Sequence, residues 1–316
     1  MYRAFPTLDN FTGGIDEVAG FSARSFFFLE PSSPRTRINV YRARIRLLSG
    51  RRRDETDRTN CLAVALIGAV PANAAQWAKT YKISGEPDLR VESSDANIRV
   101  DTSDQKTIEV NVISAHYKIG PGGLQIEEHQ TGDRVEINVR FPRGFHVMDV
   151  GNHRVDINVR MPQKGRVNLR TGDGNIELAS FGGEMELSSG DGSETLHGVD
   201  GKLHARTGDG HITADGRFDV LDLKTGDGRL DIRAAAGSTI ADEWTLRTGD
   251  GNVRLQLPEN LAADLYLHTG DGHIDVDVPM TTEGRIKQND VHGKMNGGGK
   301  LMTIHTGDGS ISISKG

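Results

Sequence analysis

The stretch Leu169-Arg-Thr-Gly-Asp-Gly-Asn-Ile-Glu-Leu178 carries the pattern that decides the fold. Leu169, Ile176 and Leu178 alternate with polar neighbours, and Thr-Gly-Asp-Gly separates the two runs. Period-2 alternation turns one face of a strand inward and the other to water. The stretch therefore reads as strand, glycine corner, strand. The tetrapeptide returns at Thr207, Thr225, Thr248, Thr269 and Thr306, with Ser-Gly-Asp-Gly at Ser189. Successive starts lie 18, 18, 18, 23, 21 and 37 residues apart. The last gap is close to two repeats, and a worn copy is expected at Gln288-Asn-Asp-Val-His292 in its middle.

Asp-Gly is also a strong hairpin signal, so a meander of hairpins competes with a stack of coils. Recurrence of four identical residues at one place favours the stack, because coils about 4.8 Å apart set equivalent residues on top of one another. The expectation is an all-β, single-stacked β-solenoid (β-helix) with coils of 18–21 residues. Its corners are Gly172 and Gly174, Gly190 and Gly192, Gly208 and Gly210, Gly226 and Gly228, Gly249 and Gly251, Gly270 and Gly272, and Gly307 and Gly309. Weaker bends are read upstream at Ser94-Asp-Ala-Asn97, Thr131-Gly-Asp-Arg134 and Gly151-Asn152. Pro142, Pro162, Pro258 and Pro279 end strands by removing a donor.

Composition agrees with a thin core. The 316 residues include 39 Gly, and only 35% are hydrophobic and 5% aromatic. One Cys excludes a disulfide scaffold or a thiolate zinc site, and no apolar run reaches the 18 residues of a membrane span. A net charge of −6 argues against nucleic acid as a partner.

Charge divides the chain. Residues 1–75 sum to +4 and residues 76–316 to −10. Arg51, Arg52, Arg53 and Arg58 precede the apolar run Cys61–Val70, then Pro71 and Ala72-Asn-Ala-Ala75. Basic region, apolar region and small-residue site are the order of a signal peptide, here 51–75; a buried strand or helix is the competing reading. Residues 1–50 show no repeat and read as a leader from an over-extended start, the true one lying nearer Leu47–Asn60. Residues 76–316 would then be exported to the periplasm, envelope or medium.

From Tyr81 to Lys315 the chain resembles the bacterial putative-adhesin domain of unknown function. Asn97-Ile-Arg-Val100, Arg140-Phe-Pro142, Arg160-Met-Pro162 and the repeats of the Leu169–Leu178 type carry the resemblance. It implies a right-handed, single-stacked β-helix with no known catalytic residues, and leaves the ligand open.

Stacked corners would bring Asp173, Asp191, Asp209 and Asp227 into a ladder, continued by Asp250, Asp271 and Asp308. Calcium favours such oxygens, yet neither the nonapeptide calcium repeat nor the EF-hand spacing is present. Two exposed charges about 4.8 Å apart repel by roughly 0.9 kcal/mol in water. Turn amides accepted by Asp and the neighbouring cations Arg170, Arg206, Lys224, Arg247, His268 and His305 are expected to offset this. The aspartates thus read as turn architecture, with weak calcium binding as the alternative and no cofactor required.

Zinc wants three or four close ligands. Sequence spacing puts His268 and His305 two coils, about 10 Å, apart, so His211, His268, His273 and His305 read as solvated corner residues. Gly297-Gly-Gly-Lys300 lacks phosphate-loop spacing and reads as a loop interrupting the last coils. No catalytic constellation stands out. The first reading is a noncatalytic exported scaffold, adhesin-like, binding an envelope protein or surface polysaccharide. A polysaccharide-active β-helix enzyme is the alternative, weakened by the scarcity of tryptophan for sugar stacking, Trp77 and Trp244 only. An envelope-stress sensor is a third. The last strand, Ser310–Lys315, is expected to be an unprotected edge that pairs with a partner or frays.

Overall fold

The computed structural model describes residues 75–142, 154–282 and 288–316. The leader, the signal segment up to residue 74 and the bend at Gly151-Asn152 lie outside the described residues. No helix occurs among them; twenty-one strands join in one open sheet.

Pairing runs in two parallel ladders, one of strands entering the corners and one of strands leaving them. In stack order the first holds β6 (Arg134–Arg140), β2 (Asp88–Ser93), β8 (Lys164–Thr171) and β10 (Gly182–Ser189). It continues through the second halves of β11 (Glu194–Arg206) and β12 (Ile212–Lys224) to β14 (Trp244–Arg247), β20 (Leu301–Thr306) and β16 (Ala263–Thr269). The second ladder begins with β7 (Val155–Pro162), β3 (Asn97–Ser103) and β9 (Ile176–Ala179), followed by the first halves of β11 and β12. It ends with β13 (Leu230–Ala234), β15 (Val253–Leu257), β21 (Ile311–Lys315) and β17 (Ile274–Asp277). The 18-residue sequence period is the pairing register: Met185 lies between Val167 and Leu203, and Ile212 beside Leu230.

Stack order is not chain order at either end. The β2/β3 turn lies between β6/β7 and β8/β9, and β20/β21 lies between β14/β15 and β16/β17. Three sequence expectations are corrected. The last strand is no edge, since β21 pairs with β15 on one side and β17 on the other. No worn coil fills the gap after Thr269: β19 (Asp290–Met295) runs antiparallel to β16, and β18 (Met280–Thr282) antiparallel to β19. Thr131-Gly-Asp-Arg134 is a two-residue hairpin joining β5 (Gln125–Thr131) to β6, with Gly132 at φ 61°.

The opposite end is also closed by antiparallel strands. β4 (Thr107–Ser114) pairs with β7, and β1 (Ala75–Lys82) with β4. There Glu128 of β5 accepts hydrogen bonds from Lys79 and Tyr81 of β1, tying the two ladders together over the end of the core. Burial, then Glu128, raises the Tyr81 hydroxyl above the ordinary tyrosine range. Burial alone would raise Glu128; the bonds from Lys79 and Tyr81 hold it below its usual value.

Between the ladders the core is one residue deep per strand. Ile98, Ile176, Ile212, Leu230, Val253 and Ile311 form a buried column just after the corners. Trp244 is wholly buried against the edge of Phe218, its ring centroid 6.5 Å away. A second glycine ladder, not singled out in the sequence although it too has the 18-residue period, lets the chain enter the first ladder at Gly165, Gly183 and Gly201. All three have positive φ, 153°, 124° and 128°. A Cβ at Gly183 would stand 2.1 Å from the Gly165 carbonyl oxygen, whereas one at Gly182 meets nothing closer than 3.6 Å. Gly183→Ala is therefore expected to cost roughly 2–5 kcal/mol, backbone strain plus overpacking, and Gly182→Ala little. Thermal denaturation of the two neighbours checks this; equal melting points would refute the ladder's role.

Candidate functional site

The repeated corner is built by the hydroxyl and the two glycines together. Thr207 Oγ1 donates to the Gly192 carbonyl of the coil beneath at 2.8 Å and accepts from Gly210 N–H of its own corner at 3.3 Å. Ser189, Thr225, Thr248, Thr269 and Thr306 repeat both bonds. Thr171 donates to Ala96, at the Ser94 bend. From Gly190 onward, the first glycine of each corner donates its N–H to its counterpart in the neighbouring coil, at 2.5 Å for Gly208 to Gly190 and for Gly226 to Gly208. A Cβ on the first glycine, as at Gly208 or Gly249, would come within 2.6 Å of that carbonyl oxygen, and on the second, at Gly228 or Gly251, within 1.8 Å. Close approach, not positive φ, demands glycine there.

The aspartates do stack, and Asp173, Asp191, Asp209, Asp227, Asp250, Asp271 and Asp308 are all exposed. Among the described residues none of their carboxylates takes part in a hydrogen bond or ion pair, so the expected capture of turn amides is corrected. The turn is already held by the Thr hydroxyl. Nor do the preceding cations pair with them: Arg170 reaches Glu186 at 2.8 Å and Arg206 reaches Asp222 at 3.1 Å. Asp95, which begins the row, is raised above its ordinary value by burial and then by Asp173. No three His, Cys, Asp or Glu side chains among the described residues form a metal-holding group. His211 Nδ1 accepts the Arg229 amide at 3.1 Å, and His273 Nδ1 lies 2.9 Å from Ser310 Oγ.

His268 and His305 are not two coils apart. With β20 inserted beside β16 they face each other in register, their rings stacked at 5.1 Å and 6°. Burial, His268 and Arg247 lower the His305 imidazole below its ordinary value.

Toward the other end of the stack, a groove of about 540 Å³ crosses the outer face of the first ladder over β2, β8, β10 and β11. Its arginines are self-neutralised: Arg90 by Asp88, Arg166 by Glu184, Arg170 by Glu186 and Arg206 by Asp222.

One residue departs from the core pattern. Glu194 stands five residues after Ser189, where the other corners place an apolar side chain, and pairs with Ile176 and Ile212. It is fully buried, and neither carboxyl oxygen has a hydrogen-bond partner. Burial pushes its carboxyl up to about 8, although the nearby backbone of Ser189 and Arg206 favours the charged form. The sequence signal was a polar residue breaking an aligned apolar column.

A profile of the Toastrack family, DUF4097, matches residues 87–240 and 182–314. The chain belongs to the Toastrack family. The two overlapping matches run from the β2 turn to the final strand, so the family pattern covers the stack. Solved structures similar to this Toastrack chain include a putative cell adhesion protein from Clostridium sporogenes, 14% identical, covering 77% of this chain and 100% of that one, with a TM-score of 0.39. A putative adhesin from Bacteroides fragilis is 9% identical over 76% and 96%, TM-score 0.37. A putative lipid binding protein from Parabacteroides distasonis is 13% identical over 76% and 97%, TM-score 0.39. No curated protein matches the chain significantly.

A carboxyl raised in the folded state binds its proton more tightly there than in the unfolded chain. Its contribution is fully present below the ordinary Glu value of 4.5 and is lost as pH rises to about 8. Over that window stability should fall by up to about 1.4 kcal/mol per pH unit from this group alone. Glu194→Ile, matching its neighbours, is expected to melt higher at pH 9 than the parent and to flatten the slope. Thermal melts at pH 5 and pH 9 check this, and a variant less stable at both would show that the carboxyl is needed.

Proposed function

We propose that this Toastrack chain is a noncatalytic, exported scaffold of the cell envelope, adhesin-like, presenting the outer faces of its ladders to a surface partner. The observation that supports it is the organisation of outward side chains into long rows, one rung per strand, rather than convergence on a cleft. Trp244, one of the two tryptophans, is buried and so unavailable to stack on a sugar. We read the stack as a single-stacked, right-handed β-solenoid with coils of 18–21 residues, and the segment 51–75 as the export signal. No helix among the described residues is long and apolar enough to cross a membrane.

Fractionation of the producing cell, followed by incubation of the purified full chain with acidic polysaccharides, tests this reading. The protein should sediment with envelopes or leave the cell, and polymer viscosity should stay constant. Cytoplasmic retention or new reducing ends would overturn it.

The unneutralised aspartate row favours diffuse cation accumulation over a built calcium site. Calcium chloride and sodium chloride at equal ionic strength are therefore expected to raise the melting temperature alike, by screening. A rise of many degrees with calcium alone, reversed by EDTA, would establish a specific site instead.

A further inference from the structure

The outer face of the first ladder changes character toward β16. Just before the corners, five successive strands carry a basic side chain, each in register with the next: Arg206, which Asp222 pairs, then Lys224 and Arg247, then the imidazoles of His305 and His268, with Asp290 of β19 beside His268. At the strand spacing this row spans about 19 Å. Among the described residues Lys224 and Arg247 have no carboxylate within ion-pair distance and both are exposed. Neither is paired, in contrast to the arginines of the groove, Arg206 among them.

A second observation falls on the same rungs. The exposed large hydrophobic residues of the described chain are Tyr266 and Leu301, at 38% and 43% exposure. Both lie on this outer face, on adjacent strands, with Tyr266 in register with Thr303 and two residues from His268. The Tyr266 ring packs against His292 of β19 at 4.5 Å, tilted by 58°, so it is held in place while one part stays open. Thr303 and Thr245 continue Tyr266's own row across the next two strands, beside the basic row, and the Thr303 hydroxyl donates to Glu243 at 3.0 Å.

An aromatic face accepts the C–H side of a pyranose ring, hydroxyls serve its alcohols, and Arg binds carboxylate through charge-assisted, often bidentate hydrogen bonds. We propose that this surface, Tyr266 with Thr303, Arg247, Lys224, His305 and His268, binds a linear carboxylated glycan, a polyuronate, laid across the strands. The assignment rests on the noncatalytic scaffold reading and names the ligand class of that scaffold. Residues 76–316 carry about −10 overall, so binding of a polyanion must be local to this row, not bulk ion exchange.

Affinity electrophoresis of the full chain in gels containing polygalacturonate, neutral dextran or dextran sulfate tests the site. Retardation is expected with polygalacturonate and not with dextran. Tyr266→Ala and Arg247→Ala should each weaken it by about tenfold or more. Tyr266→Phe should retain it, and Arg99→Ala on the second ladder should leave it unchanged. Three results would overturn the proposal: no retardation by polygalacturonate, an equal loss from Arg99→Ala, or stronger retardation by dextran sulfate that ignores Tyr266→Ala. A chain that still sediments with envelopes but ignores polygalacturonate loses only the glycan assignment; a chain that cleaves the polymer loses the scaffold reading itself.

Discussion

A glycine amide meeting the glycine carbonyl of the coil beneath at 2.5 Å is the contact on which the rest of the stack depends. It brings two backbones closer than any side chain allows and aligns each Thr hydroxyl to bridge its own corner and the one below. With the corner fixed, the flanking strands enter and leave in register, and the parallel ladders follow. The same closeness leaves room for only a thin interior, filled mostly by Leu, Ile, Val and Ala with Phe181, Phe218 and Trp244 as its few aromatics, in keeping with the glycine content and the low aromatic count. Because no coil buries its own apolar face, stability is a sum of contacts between neighbours, and the two ends need separate solutions. Lys79, Tyr81 and Glu128 close one; the β18–β19 hairpin adds antiparallel strands beyond β16 at the other.

Stacking also turns chemistry into rows. Equivalent outward positions lie on adjacent strands, so whatever the repeat carries is multiplied along the stack. Where signs alternate, as in the groove of Arg166, Glu184, Arg170 and Glu186, the row neutralises itself. Where one sign persists, as with the corner aspartates or the neighbours Lys224 and Arg247, the charge is left to solvent or to a partner. Glu194 is the inward counterpart: one polar rung in an apolar column, kept protonated near neutrality by its surroundings.

Much of the local architecture was legible in the residues. Strand, corner and strand follow from alternation and from glycine, both consequences of short-range sterics, and the Ser94 bend was readable in the same way. The corner's bonding was less so. Asp is the conspicuous member of the motif, yet Thr does the bonding, because the hydroxyl lies under the next coil while the carboxylate points to water. The glycines at 165, 183 and 201 had the right period but no flanking motif to draw the eye.

Stack order was decided by tertiary structure alone. Identical corners are interchangeable, so the sequence says that Thr248, Thr269 and Thr306 can stack but not in which order. Joining Val253 to Ile311, 58 residues on, costs only about 1 kcal/mol more in loop closure than joining strands 18 apart. That penalty is small enough for end capping to outweigh. The swap buries the final strand, brings His268 onto His305 and assembles the Tyr266 surface. The sequence by itself determined the coil, through local sterics and alternation; the neighbours of each coil, and every site made between coils, depended on long-range pairing that identical repeats cannot encode.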